Sequence, residues 1–178
     1  DHNFVMNFET RAATTADLIQ NMQLYTFYRN NGGANDQTFH RKVLNMVRTE
    51  SQITAQVETG HWYMAMVSPP QGVSIIEPVA GATMDKLPMY KWVPEYDDTE
   101  KRHKNAPEIF LVNTDIPEIK ENTPATKNAT LGRNIARVKL VLEKVTSNFI
   151  LASDNHELIL SEVPSTISYT GALLPERD

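Results

Sequence analysis

Period-two alternation of apolar and polar side chains runs through most of the chain, and such alternation sends successive side chains to opposite faces of a strand. Phe4, Met6 and Phe8 alternate with Val5, Asn7 and Glu9, which predicts a first strand with one apolar face. Ile19 to Tyr28 reads as a second strand, with Met22, Leu24 and Thr26 on one face and Tyr25 and Phe27 on the other. The run Asn30 to Asp36 holds residues that tolerate positive φ and predicts a turn. Phe39 to Val47 fits a strand; Phe39, Val43, Leu44 and Val47 also fit a helical stripe, and strand is preferred. Ile53, Ala55 and Val57 alternate with polar neighbours, and Thr59-Gly60 then leads into Trp62 to Val67, so the pair reads as a hairpin. Its second strand is apolar on both faces, which predicts a central position. Pro69-Pro70 ends it, because proline cannot continue a ladder.

Residues 71–107 are the least regular stretch, rich in proline and carrying the mixed-charge run Glu95 to Lys104, so a long irregular insertion is expected around 69–107. Strands are predicted again at Glu108 to Val112 and in an extended piece around Ile116 and Ile119. A polar segment from Lys120 to Thr130 follows, and then Ile135 to Val145, the clearest half-buried alternation in the chain. Phe149 to Leu151, a turn at Asp154-Asn155, Leu158 to Leu160 and Ile167 to Tyr169 supply short strands at the end. Roughly seven to ten strands, with no helix above about ten residues, predict an all-β fold. A closed barrel fits that count. Unequal strand lengths and long connections favour a two-sheet sandwich, read as one domain over residues 1–178.

Composition sharpens this picture by exclusion. The chain is 40% hydrophobic and 22% charged, which is globular composition. Its 22 acidic against 17 basic residues give a net charge of −5, which repels phosphate backbones and makes nucleic acid an unsuitable partner. There is no cysteine, so disulfides, thiolate metal sites and thiol nucleophiles are excluded. No apolar run approaches the ~20 residues that cross a bilayer as a helix.

Four stretches give the chain a family likeness: Ile19 to Tyr28, Gly60 to Val67, Ala106 to Leu111, and Leu131 to Leu140. In this order they resemble the fimbrillin family of the Bacteroidales, its pilins and fimbrial anchor subunits, and the last stretch is the best match. The resemblance implies a transthyretin-like Greek-key sandwich, the amino-terminal domain of a two-domain subunit. It implies export through the periplasm as a lipoprotein, with an outer-membrane anchor upstream of this chain. The partners it implies are other fimbrial subunits or surface ligands in cell adhesion. Family pilins are matured by cleavage after an arginine near the first strand, which opens a groove for a partner's strand. Arg11, the only arginine among the first 28 residues, is the position here that matches. It also reads as an ordinary solvated loop arginine. Such strand addition satisfies open ladder groups and seats alternate side chains in pockets.

No constellation in the sequence calls for catalysis, a metal or a cofactor. The histidines His2, His40, His61, His103 and His156 are scattered without metal-site spacing. Asp97-Asp98-Glu100 lacks the glycine and terminal glutamate of a calcium loop and reads as a solvated charge run beside Lys101, Arg102 and Lys104. Asp154 to Glu157 reads as a turn without a partner nucleophile, and Asn30 to Gly33 lacks the lysine of a phosphate loop. The chain is therefore read as a non-enzyme. Trp62 is expected in the core, whereas Tyr90, Trp92 and Tyr96 sit in the irregular insertion and suggest an aromatic surface. A carbohydrate-binding cell-surface module is accordingly the alternative reading.

Overall fold

A computed structural model describes residues 1–10, 15–133, 159 and 161–175. Among these residues the chain is almost entirely β, as its alternation requires. One continuous eight-stranded sheet folds so that its two four-stranded halves, called here the first and second sheets, face each other in a sandwich-like arrangement, and a third layer covers one of them. The first sheet has the order β11-β1-β5-β4, built from β1 (His2–Thr10), β4 (Met46–Arg48), β5 (Gln52–Val57) and β11 (Ala125–Arg133). The second has the order β3-β2-β6-β10, from β2 (Gln23–Tyr28), β3 (Phe39–Val43), β6 (Trp62–Ser68) and β10 (Phe110–Asp115).

Two corners join the sheets. At one, β3 leads into β4 across only Leu44 and Asn45, so the predicted strand at 39–47 is one strand bent between the two sheets. At the other, the end of β11 pairs with β10 through Phe110↔Arg133 and Leu111↔Gly132, while its earlier residues pair with β1. Between the sheets lie Phe4, Met6 and Phe8 of β1, Ile53, Ala55 and Val57 of β5, and Leu24, Trp62, Met64, Met66 and Phe110 from the opposite side.

Strand β6 is buried on both faces, as its sequence predicts. Trp62, Met64 and Met66 point into the sandwich, whereas Ala65 and Val67 point outward beneath a second core. The irregular stretch supplies that cover through Met84, Leu87 and Met89, joined by Tyr169. A small sheet of β7 (Pro88–Lys91), β12 (Thr166–Ser168) and β13 (Leu173–Leu174) frames it, and β8 (Tyr96–Asp97) and β9 (Arg102–His103) form a separate short hairpin. Tyr169 meets Tyr25 edge-on at 5.3 Å and lies 5.8 Å from Phe27. Its hydroxyl donates to the Ile76 carbonyl, and the Tyr25 hydroxyl donates to Glu77 Oε1 at 3.1 Å. Burial pushes both phenols far above their ordinary range, so they stay neutral donors.

The predicted turn at 30–36 forms with Asn31 at φ +42 and Gly32 at φ +86. The Asp36 carboxylate closes it by accepting the N–H groups of Asn30 and Gly32, which holds its pKa below the usual range.

Three expectations are corrected. The strand expected from Ile19 starts instead at Gln23, because Thr15–Gln20 forms a short helix, α1. Ile19 and Met22 are buried at an i, i+3 spacing, and the Met22 N–H closes the turn on the Ile19 carbonyl at 3.1 Å. Among the described residues no helix is long and apolar enough to cross a membrane.

The hairpin expected from β5 and β6 does not form; β5 pairs with β1 and β4, and β6 with β2 and β10. Gly60, at φ +138, turns the chain across to the facing sheet and is fastened there by paired backbone hydrogen bonds to Ile119, each 2.9 Å. A β-carbon at this position would stand 3.0 Å from the Trp62 ring. Finally, the segment expected to be polar connection at 120–130 contains most of β11. The strands expected at 135–145, 149–151 and 158–160 and the turn at Asp154-Asn155 lie outside the described residues, apart from Ile159, which is exposed.

Tyr169→Phe deletes the donor to the Ile76 carbonyl while keeping the ring. It is expected to destabilise the protein by about 1–2 kcal/mol, read as a lowered urea midpoint at unchanged slope. An unchanged midpoint would show that this hydroxyl does not fasten the third layer.

Candidate functional site

The amino-terminal strand occupies a slot with walls on both sides. It runs antiparallel to β5, from His2↔Val57 to Asn7↔Gln52, and parallel to β11, from Phe4↔Ala125 to Thr10↔Leu131. Its inward side chains Phe4, Met6 and Phe8 are buried. The two phenylalanines stand opposite Ala125 and Ala129, so small residues on β11 leave room for large ones on β1. On the outer face an amide row crosses three strands: Gln52 Nε2 donates to Asn7 Oδ1 at 2.8 Å, and Asn7 Nδ2 donates to Asn128 Oδ1 at 3.0 Å. Gln56 donates likewise to Asn3. A shallow cavity of about 360 Å³ opens beside the beginning of the strand, lined by His2, Asn3, Val5, Lys120 and Thr126 among others.

A polar clasp holds the residue just ahead of the same strand. Asp1 Oδ1 accepts from Arg41 Nη2 at 2.6 Å, and Arg41 Nη1 lies 3.1 Å from Glu58 Oε1. Glu58 Oε2 is 2.6 Å from His40 Nε2, and His40 Nδ1 is 3.0 Å from the Tyr28 hydroxyl. The imidazole stacks on Trp62 with centroids 4.4 Å apart and planes within 8°. Trp62 in turn donates its indole N–H to the Glu58 carbonyl at 2.9 Å. The hydrogen bond from His40, followed by the charge of Arg41, holds the Glu58 carboxyl below the usual carboxylate range, so at neutral pH it is an anion that accepts. With a neutral imidazole, Nε2 then carries the proton toward Glu58 and Nδ1 accepts from Tyr28. The arrangement fixes a guanidinium at the mouth of the slot.

Sequence reasoning missed this clasp. Its members come from β2, β3, the β5–β6 link and β6, and nothing in their local spacing announces that they meet. Trp62 was expected in the core and lies there, 6% exposed.

The predicted site residues fare differently. Arg11, the cleavage candidate, follows β1 directly in sequence and lies outside the described residues. Tyr90, on β7, packs against the second core; Trp92 is half-buried just beyond β7, its N–H bonded to the Ser165 carbonyl at 2.8 Å. Tyr96, on β8, is 50% exposed and meets His103 edge-on. No ring contact joins these three among the described residues, so they do not make one stacked platform. Asp97 accepts the N–H groups of Thr99 and Glu100 and caps the turn of the β8–β9 hairpin. Among the described residues no group of three or more His, Asp or Glu could hold a metal ion.

Comparison of the chain with protein-family models, with curated proteins and with solved structures gives no match.

Because the pKa of Glu58 in the folded protein lies below its ordinary 4.5, the clasp contributes stability above that pH and loses it as pH falls through the lower folded-state value. Wild type is therefore expected to melt above Glu58→Gln at neutral pH, with the gap closing in acid below the carboxylate's titration. Paired thermal melts across pH check this, and a gap that persists in acid contradicts it.

Proposed function

We propose that the chain is a structural or anchoring subunit of a bacterial cell-surface fimbria, acting through protein association by strand addition. The observation that carries this reading is the placement of β1. A strand ending one residue before Arg11 occupies a two-walled slot in the middle of the first sheet and fills the sandwich with Phe4, Met6 and Phe8. Loss of that strand leaves unpaired ladder groups on both β5 and β11 and three empty side-chain sites. A strand from another subunit satisfies both at once. The likeness to fimbrillins carried by the strand motifs supports the same reading. With it come export to the outer membrane, an anchor supplied upstream, and other fimbrial subunits as partners.

Limited digestion with an arginine-specific protease tests the reading directly. Cleavage after Arg11 is expected to yield a nicked chain that releases residues 1–11 and forms oligomers on size-exclusion chromatography, whereas Arg11→Ala stays monomeric. A cut at Arg11 that neither frees the segment nor changes the oligomeric state rules out maturation at this site.

A further inference from the structure

The slot does more than accept an apolar strand, because apolar alternation alone leaves the register open. A one-residue slip turns the large side chains outward, but a two-residue slip returns apolar residues to the core. Besides the Gln56–Asn3 hydrogen bond, two polar marks break this degeneracy. One is the Asp1 carboxylate, three residues ahead of Phe4, held by Arg41. The other is the Asn7 amide, between Met6 and Phe8, held by Gln52 from one side and Asn128 from the other. A two-residue slip moves both marks by roughly 6.6 Å, beyond hydrogen-bond reach.

Both reading devices belong to the slot rather than to β1. Arg41 stands on β3 and is fixed through Glu58, His40, Tyr28 and Trp62, none of which is in the first strand. Gln52 is on β5 and Asn128 on β11. The inward sites are graded as well, since Ala125 and Ala129 face the first and third large residues while Lys127 stands level with Met6.

We propose that the slot recognises its occupant by this pattern: a carboxylate, two residues, then three large apolar side chains at alternate positions with an amide between the second and third. The partner is an extended segment of another polypeptide that carries the acid and the amide in this register and runs parallel to β11. The inference rests on strand replacement and adds the chemistry of the incoming strand.

The test uses the full chain nicked by a site-specific protease whose recognition sequence replaces residues 11–14, with the first strand still in place. Fluorescent N-acetylated peptides of residues 1–10 compete for the slot, and displacement of the nicked strand is followed by anisotropy. The native peptide is expected to displace it. An Asp1→Asn peptide should need about three- to fivefold more, as for a partly exposed ion pair, and the difference should fade in high salt. An Asn7→Val peptide should need about tenfold more, with no such salt dependence. In an Arg41→Gln chain the discrimination at Asp1 should vanish. Equal displacement by all three peptides overturns the recognition pattern while leaving strand replacement standing. Failure of every peptide to displace the strand overturns both.

Discussion

The structure depends on three side chains of one strand. Phe4, Met6 and Phe8 enter the space between the sheets from β1, and the residues they pack among range in sequence from nearby to as far as Leu131. Phe4 pairs with Ala55 on one side and with Ala125 on the other. The first sheet therefore has no continuous ladder until a strand some 120 residues distant arrives, and contacts of such separation are slow to form because loop closure precedes their reward. A strand held on one side by β5 and on the other by the distant β11 is integral to the core, and its pairing closes the longer of those two loops.

The second constraint is β6. A strand apolar on both faces cannot leave either in water, so one four-stranded sheet needs cover on both sides. The stretch around 69–107 supplies it, which explains why a segment with little regular structure nonetheless buries Met84, Leu87 and Met89. Tyr25 and Tyr169 then solve the polar side of the problem. Their rings are buried and their hydroxyls donate to the backbone of Ile76 and to Glu77, so the third layer is tied down by hydrogen bonds as well as by apolar contact.

What was legible in the sequence follows from these same forces. Alternation revealed β1, β5 and the two-faced β6, because burial imposes period two directly on side-chain type. The bend between β3 and β4 hid inside a single pattern, since a corner strand keeps its alternation while changing sheets. Helix α1 is hidden in the sequence because Ile19 and Met22 fit either a helical turn or the start of an apolar run. The hairpin error arose from local adjacency: the sequence around Gly60 permits a tight turn, and only the bridge to Ile119 sends the next strand to the other sheet. Strand β11 escaped because its inward residues include Ala125 and Ala129, whose smallness is meaningful only opposite Phe4 and Phe8. The clasp escaped for the same reason, as Tyr28, His40, Arg41, Glu58 and Trp62 acquire a joint role only once three strands and a link converge.

The slot thus separates two tasks that one interaction type could not perform together. Burial of large apolar side chains supplies strength, but it is non-directional and tolerates any register that keeps the face. Hydrogen bonds and ion pairs at the sheet surface are individually modest, yet they are directional and fail after a shift of one or two residues. Placing Asp1 against Arg41 just ahead of the nine-residue strand and Asn7 between Gln52 and Asn128 within it gives two fixed points. The edge of the sheet at β4 is guarded by different means. Strand β4 is only three residues long and follows the corner at Leu44-Asn45, so it offers a poor template to a passing strand. Strand addition is thereby discouraged at that edge.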